Sequence, residues 1–477
     1  MSEKLSFKVY VKLPVFMQNV ACTLAGINMR RTRFNKTFRD ALDFLEKSQW
    51  WSLAEQCEYR DDQLRKIIRH AYDTVPYYRE IFDSRKLTSA DIQTVADLQK
   101  LPILEKETVR QRYSDLLSRG WPKRRIKYIY TGGTTGKALK VATDIDTQPW
   151  HWATHWRHRG RFGLKVGMPF IVFAGRSVVP LSKMHPPFWR RNLTMNQTYV
   201  SIHHMTKQNM PALVEYLQKR CVAYYSGYPS GLYLLATYLL DNDIHLKHPP
   251  RITGVGAETL LPHQRRVIER GLDTEVVDHY AATEQCVFIS ECDKHSYHFD
   301  MEFGAIELLP LEGVQSNVRR IICTGFRNPA MPLIRYNIDD LATISEDTAP
   351  CPCGRAATKV EKIDGRIESY VVTSDGRQLG RLDFLFKQTD QIQEVRLVQD
   401  TLEHLTVEVV RRDAYSAEDE ARLIKNLRVY LGNMIGIDID YLKEIPREAN
   451  GKFRQIVSKV FHDRYALCDE TGKKERN

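Results

Sequence analysis

The sequence predicts an α/β protein in two unequal parts: a large N-terminal domain with a helical N-terminal cap, and a small, mobile C-terminal α+β domain. Three observations lead there. At 477 residues the chain exceeds the roughly 250–300 over which a single hydrophobic core keeps growing. Between about residues 100 and 365, short apolar runs of strand length alternate with helical stretches. Beyond Gly365 and Arg366, an alternating apolar pattern and a capped helix form a pattern of their own. The expected division is 1–365, with 1–99 mainly a helical cap, and 366–477.

The elements follow in chain order. From Phe34 to about Tyr78 the apolar spacing is helical, with Phe38, Leu42 and Leu45 on one face and Leu64, Ile67, Ile68 and Ala71 on another. Pro76 breaks this run, because proline disfavours helical geometry in the residue before it. Phe170 to Ala174 reads as a strand, Pro211–Lys219 as a helix and Cys221 to Tyr225 as a strand. Pro229 to Asn242 is a strongly apolar helix whose leucines are core candidates. A further strand is expected over His298 to Leu308. In the last part Val395, Leu397, Leu405, Val407 and Val409 alternate, and Ser416 with Asp419 marks a capping box opening a helix to about Leu431. Ile437 to Tyr441 is the closing strand candidate.

Lys plus Arg total 70 against 59 Asp plus Glu, a net charge of +11 that suits acidic partners such as nucleotides, acyl carrier proteins or anionic membrane surfaces. The clusters Arg30, Arg31, Arg33 and Lys123, Arg124, Arg125, Lys127 belong to no recognisable nucleic-acid-binding module, so no nucleic-acid partner is expected. No stretch approaches the ~18 consecutive apolar residues of a membrane span, and the N-terminus lacks the order of a secretory signal. A cytoplasmic protein is expected. Its 9 cysteines then read as free thiols plus a metal site rather than a disulfide framework.

The most informative stretch is Tyr130-Thr131-Gly132-Gly133-Thr134-Thr135-Gly136-Lys137, after the strand candidate Tyr128-Ile129. Its glycines let the backbone approach an anion closely, its threonines offer hydroxyl donors, and Lys137 adds charge. The composition is that of a phosphate cradle. It is not the loop of P-loop NTPases, because Thr131 stands at the first glycine position and Ala138 where a magnesium-binding hydroxyl would be.

Further segments follow in a telling order: Gly256-Ala257-Glu258, Tyr280-Ala281-Ala282-Thr283-Glu284, Arg335-Tyr336-Asn337-Ile338-Asp339-Asp340-Leu341, Gly365-Arg366-Ile367-Glu368-Ser369, and Ile445-Pro446-Arg447-Glu448-Ala449-Asn450-Gly451-Lys452. With the glycine-rich loop they resemble the motifs of the adenylate-forming superfamily. Across nearly the whole chain the resemblance is to its phenylacetate-CoA ligase-like branch, including the capsular-polysaccharide-associated subgroup. Leu13-Pro14, Val75-Pro76-Tyr77-Tyr78-Arg79, Phe173-Ala174-Gly175-Arg176 and Gly227-Tyr228-Pro229-Ser230 carry that finer likeness.

The resemblance implies a large adenylate-forming domain, a mobile C-terminal domain and a two-step reaction. ATP with Mg²⁺ would convert an aryl or other organic acid to its acyl-adenylate, releasing pyrophosphate. The acyl group would then pass to coenzyme A or, alternatively, to a carrier protein or an amine in polysaccharide or natural-product biosynthesis. It assigns residues 131–137 to phosphate, Gly256, Ala257, Glu258 and Tyr280 to the nucleotide, Thr283 to phosphate and Glu284 to Mg²⁺. Asp340 would accept from the ribose hydroxyls with support from Arg366, Glu368 would mark the hinge, and Lys452 would be the catalytic lysine. Ala281 and Asp339 stand where the family has glycine, and Glu368 with Ser369 where it has a hinge Asp pair. A non-catalytic nucleotide-binding scaffold is the remaining alternative, and the presence of both Lys452 and Glu284 weighs against it.

The same branch supplies a reading for the cysteines. Cys292, Cys351 and Cys353 with either His295 or His298 offer three thiolates and one imidazole, a closed tetrahedral set suited to structural zinc. His298 is preferred because it opens the strand candidate. His203, His204, Tyr228 and Ser230 are candidates for the acid pocket. The acid, the acceptor and the oligomeric state stay open at this level.

Overall fold

A computed structural model describes residues 9–131, 139–175, 178–180, 182–260, 262–310, 317–345, 349–365, 371–373, 378–379, 391–443, 445, 456–458 and 460. The N-terminal part is helical: Val15–Arg33, Lys36–Ser48, Leu53–Thr74 and Pro76–Ser84. The single run expected over Phe34 to Tyr78 is therefore interrupted before the proline. Ser52 and Glu55 form a reciprocal capping box that starts a new helix at Leu53. Val75 is extended and Pro76 opens the next helix at its first position, where its missing N–H costs nothing.

Strands β1 Ile126–Tyr130 and β2 Lys140–Asp144 form an antiparallel hairpin. β3 Phe170–Ala174, β4 Trp189–Asn192, β5 Gln197–Ser201, β6 Tyr224–Gly227, β7 Ile252–Gly256, β8 Glu275–Ala281, β9 Phe288–Glu291 and β10 Tyr297–Phe299 belong to one large sheet. β11 Gly304–Pro310, β12 Val318–Gly325 and β13 Tyr336–Thr343 begin an antiparallel sheet completed by β15 Lys362–Gly365, while β14 Lys359–Val360 returns to the large sheet. Among the described residues the large sheet runs β14-β10-β9-β8-β7-β6-β3-β5-β4. Its middle, β5-β3-β6-β7-β8, is parallel.

Parallel neighbours need crossover connections, and the helices Met210–Gln218, Pro229–Asp241 and Pro262–Leu272 supply them between β5, β6, β7 and β8. Leu213, Leu217, Leu232, Leu235, Leu239 and Ile268 bury their side chains in the core these helices share with Ile171, Phe173 and Val255. Chain order moves from β3 to β5 on one side and then jumps back to β6 on the other. The chain order thus reverses between β3 and β6, and the carboxyl ends of the strands at such a switch point are the usual ligand position in an open α/β sheet.

The strand expected over His298 to Leu308 is two strands in two sheets, β10 and β11. The turn between them carries Asp300 and Glu302, and both carboxylates are drawn into a buried ion network. Arg157, on the helix Thr147–Arg161, pairs with Asp300 and, at 2.8 Å, with Glu302. Ser48 donates to Glu302 at 2.6 Å, Ser290 to Asp300 at 2.9 Å, and Arg355 lies 3.4 Å from Asp300. Helical cap, large sheet and the 351–355 segment are tied together here. Removing one partner of a buried pair strands the other charge, so Arg157→Met is expected to cost about 3–5 kcal/mol in urea unfolding.

His155 and His158 lie on the same helix, both buried. Burial holds both imidazoles well below the ordinary histidine range, helped by Arg159 beside His155 and by His279 and Arg161 beside His158. Neither His158 ring nitrogen has a hydrogen-bond partner among the described residues. Below about pH 6.5 the unfolded chain protonates these groups and the folded chain does not, so stability falls as pH drops. Between pH 6.5 and 5 the loss is up to about 2 kcal/mol per histidine, and His158→Leu should flatten the fall in urea midpoint over that range.

In the C-terminal part β16 Val371–Val372 pairs with β17 Gln378–Leu379. β18 Ile392–Thr401, β19 His404–Arg411, β20 Gly436–Tyr441 and β21 Ile456–Ser458 form a separate sheet in the order β20-β19-β18-β21. The helix Ala417–Leu431 packs on it. Val395, Leu397, Leu405, Val407 and Val409 face Leu423, Leu427 and Leu431, and Ser416 with Asp419 caps the helix as the sequence predicts.

Candidate active site

The carboxyl ends of the parallel strands bring the sequence candidates together. Gly175 follows β3, His203 follows β5, Tyr228 and Ser230 follow β6, Ala257 and Glu258 follow β7, and Thr283 and Glu284 follow β8. Gly227, at the end of β6, must be glycine, since a Cβ there would meet the Phe173 carbonyl oxygen at 2.2 Å. Glu258 accepts from the Ser230 backbone N–H at 3.2 Å, linking the β6 and β7 loops at the start of the helix Pro229–Asp241. Ala257 has φ +70, a left-handed geometry that turns the chain sharply after Gly256.

Two tyrosines join β8 to β13. Tyr280 donates its hydroxyl to Asp340 Oδ2 at 2.6 Å, and Tyr336 donates to Glu284 Oε1 at 3.0 Å. Burial first, and the partnered carboxylate second, push both phenols well above their ordinary range, so each remains a donor. Glu284 is buried, whereas Thr283 is exposed on the turn. A carboxylate with one oxygen engaged by Tyr336 keeps lone pairs for a hard cation.

Asp339 has φ +63, the conformation for which a glycine is favoured and Asp is among the better-tolerated alternatives. Its carboxylate is 3.0 Å from Lys106 Nζ, which also donates to the Ile338 carbonyl at 2.8 Å. Ala281 has no such geometry. It is the last residue of β8, an extended position that accepts a methyl group.

Thr131 closes the base of the β1–β2 hairpin, donating its N–H to the Leu139 carbonyl at 2.9 Å and accepting from the Leu139 N–H at 3.2 Å through its hydroxyl. Gly132, Gly133, Thr134, Thr135, Gly136 and Lys137 lie outside the described residues, as do Arg366, Glu368 and Lys452. Gly365 pairs with Leu341 in β13, so the chain leaves β15 beside Asp340. Asp364 accepts from Thr343 at 2.7 Å, and its carbonyl accepts from Thr259 at 3.2 Å, which anchors this exit to the Gly256–Glu258 turn.

The two histidines part ways. His204 is buried, stacks on Phe188 at 4.8 Å, and shares a 2.8 Å hydrogen bond with Ser201 through Nδ1. Its ring is packed in the core. His203 packs its ring edge-on at 5.1 Å against Tyr430, from the helix Ala417–Leu431. Reading the sequence did not single out Tyr336 or Asp364. Tyr336 could have been suspected, since it lies within the segment that carries Asp340.

A second cluster lies at the sheet edge where β9, β10 and β14 meet. The ligand atoms of Cys292, His298, Cys351 and Cys353 all fall within 4.8 Å of one another. Cys292 and Cys351 sulfurs are 3.8 Å apart, and Cys353 Sγ is 3.5 Å from His298 Nε2. His298 Nδ1 lies 3.0 Å from the Ala357 carbonyl, which fixes the ring with Nε2 toward the sulfurs. His295 turns instead to Glu291, at 2.9 Å. Three thiols and one imidazole at this spacing have the chemistry of a closed tetrahedral metal site.

Comparison with solved structures defines the fold. The chain has the fold of the acyl-CoA ligases of the adenylate-forming superfamily. It covers 91% of a 2-hydroxyisobutyryl-CoA ligase in complex with 2-HIB-AMP and CoA, over 86% of its own length, with a TM-score of 0.60 and 17% identity. Among curated proteins, it is similar to Protein CapK of Staphylococcus aureus, 24% identical over 95% of this chain and 99% of CapK. The phenylacetate-coenzyme A ligase of Aromatoleum evansii is 25% identical over 67% of this chain and 73% of that enzyme. The family model described as the CapK C-terminal domain matches residues 371–459. By sequence the chain is similar to CapK and to phenylacetate-coenzyme A ligases, and by fold to the acyl-CoA ligases of the adenylate-forming superfamily.

Proposed function

We propose that this protein activates an organic acid with ATP, forming an acyl-adenylate and pyrophosphate, and transfers the acyl group to coenzyme A. The observation that carries the proposal is the placement of Gly256–Glu258 at the end of β7 and of Tyr280, Thr283 and Glu284 at the end of β8, where Tyr280 and Tyr336 tie Asp340 and Glu284 together across β8 and β13. A carboxylate oxygen of the acid attacks the α-phosphorus and the bond to pyrophosphate breaks. Carboxylate is already an adequate nucleophile, so the rate comes from positioning and charge stabilisation rather than from a base. Asp340, held by Tyr280, accepts from the ribose hydroxyls with Arg366 in support, and residues 131–137 hold the phosphates beside Thr283. Glu284 holds the Mg²⁺ that neutralises phosphate charge. Lys452 stabilises the charge on the pentavalent phosphorus.

In the second step the thiolate of coenzyme A attacks the acyl carbonyl and AMP leaves. Taking residues 366–477 as the mobile domain with Glu368 at its hinge, the His203–Tyr430 contact is where that domain meets the residues that would bind the acid. Tyr228 and Ser230 are among those residues. Cys292, His298, Cys351 and Cys353 hold a structural zinc ion away from the reacting groups.

Acid-dependent exchange of labelled pyrophosphate into ATP, measured across aryl, hydroxy and aliphatic acids, tests the first step, and loss of free thiol tests the second. Exchange with at least one acid, and thiol loss only when ATP and that acid are both present, is the expected result. Exchange without thiol loss would move the acceptor to a carrier protein or an amine. ATP binding with no exchange for any acid would leave a scaffold.

A further inference from the structure

The helix Val15–Arg33 is amphipathic in the inverted sense. Its polar and small side chains face the protein and its large apolar ones face outward. On the inner side, Gln18 accepts from Arg190 at 2.5 Å, Asn19 accepts from the Arg191 backbone N–H at 2.8 Å, and Thr23 accepts from the Leu193 N–H at 3.2 Å. Gly26 lies so close to Asn192 that a Cβ would come within 2.2 Å of its side-chain oxygen. These contacts cover β4, the edge strand of the large sheet, whose outward N–H groups would otherwise be unpaired.

With the polar side so used, the outer side is left apolar. Phe16, Val20 and Leu24 follow one another at four-residue spacing and are 68%, 54% and 60% exposed. Met17 and Ile27 flank them, and Leu193 is exposed beside Thr23. A helix of 19 residues is about 28 Å long, so this is a continuous stripe rather than a scatter of single side chains.

Charge selects the occupant. From Val9 to Arg39 the chain has Lys12, Arg30, Arg31, Arg33, Lys36 and Arg39 and not one Asp or Glu. Lys12, Arg30 and Arg31 are exposed at the two ends of the stripe. A second copy laid on this face would bring cation against cation in either direction, with no acid to compensate. An anionic, apolar-cored surface matches both features at once.

We propose that the outward face of Val15–Arg33 docks in the plane of an anionic lipid bilayer, its apolar stripe entering the headgroup boundary while Lys12, Arg30 and Arg31 meet lipid phosphates. No helix among the described residues is long and apolar enough to cross a membrane, so this is attachment to the surface. The inference is independent of the proposed reaction.

The test is co-sedimentation of the full chain with vesicles of pure phosphatidylcholine and of equal parts phosphatidylcholine and phosphatidylglycerol. Binding to the anionic vesicles alone, released by raised salt, is the expected result. The triple variant Phe16→Glu/Val20→Glu/Leu24→Glu should abolish binding while keeping the thermal midpoint, because those side chains contact no core. Arg30→Ser/Arg31→Ser, a milder change, should weaken binding about 30-fold. Equal binding to both vesicle types, undiminished binding by the triple variant, or a dimer that the triple variant dissociates in the absence of vesicle binding would each overturn the proposal.

Discussion

Replacing Lys452 by alanine is expected to lower acid-dependent pyrophosphate release by about 10²–10³-fold, the usual loss when one preorganised group facing transition-state charge is removed. The loss should fall on kcat more than on the KM for ATP, because the ammonium acts on charge that develops only as the pentavalent phosphorus forms. The thioester-forming step, begun from a chemically prepared acyl-adenylate, should be far less affected. The opposite reading, a raised KM at unchanged kcat, would make Lys452 a nucleotide-binding residue only. Rate measurements over a range of ATP concentrations, for both half-reactions, separate the two.

Metal removal should act on stability rather than on chemistry. The cluster of Cys292, His298, Cys351 and Cys353 fastens the 351–353 segment to the β9–β10 hairpin, and β14 then pairs with β10. A structural zinc ion supplies on the order of 10 kcal/mol of local folding free energy in small modules. Within a larger sheet part of that is already provided by neighbouring strands. The purified protein is expected to contain zinc at one equivalent by elemental analysis, and a strong chelator should lower its thermal midpoint. Cys351→Ser should reproduce that drop without metal removal. A metal-free protein whose thermal midpoint is unmoved by either treatment would leave the cluster as four ordinary thiol and imidazole groups.

What the sequence made legible, and what it did not, has a physical pattern. Short segments singled out Glu258, Tyr280, Thr283, Glu284 and Asp340, and in the structure Glu258 accepts from the Ser230 N–H, Asp340 from Tyr280 and Glu284 from Tyr336. Strands β18 and β19 and the helix Ala417–Leu431 were legible because each buries one regular face, and β3 and the helix Pro229–Asp241 because each is a continuous apolar run, β3 being buried on both sides. The ion network was not: its members, at positions 48, 157, 290, 300, 302 and 355, come from separate elements with no local signature. The same carboxylates hid the break between β10 and β11. The helix Val15–Arg33 escaped because apolar spacing signals burial only when the apolar side faces inward, and here it faces out. Asp339 shows a third kind of limit, since a departure from glycine reads as a fault until the Lys106 ion pair that accompanies its left-handed geometry is seen.

The central claim is that a carboxylate oxygen of the acid becomes bonded to the α-phosphorus of ATP. Its most direct measurement uses an acid labelled with ¹⁸O in both carboxylate oxygens, turned over with Mg·ATP and coenzyme A, with mass analysis of the nucleotide and phosphate products. The account predicts one labelled oxygen in each AMP formed and none in pyrophosphate. Label in inorganic phosphate with ADP as the nucleotide product, the signature of attack at the γ-phosphorus, would contradict it.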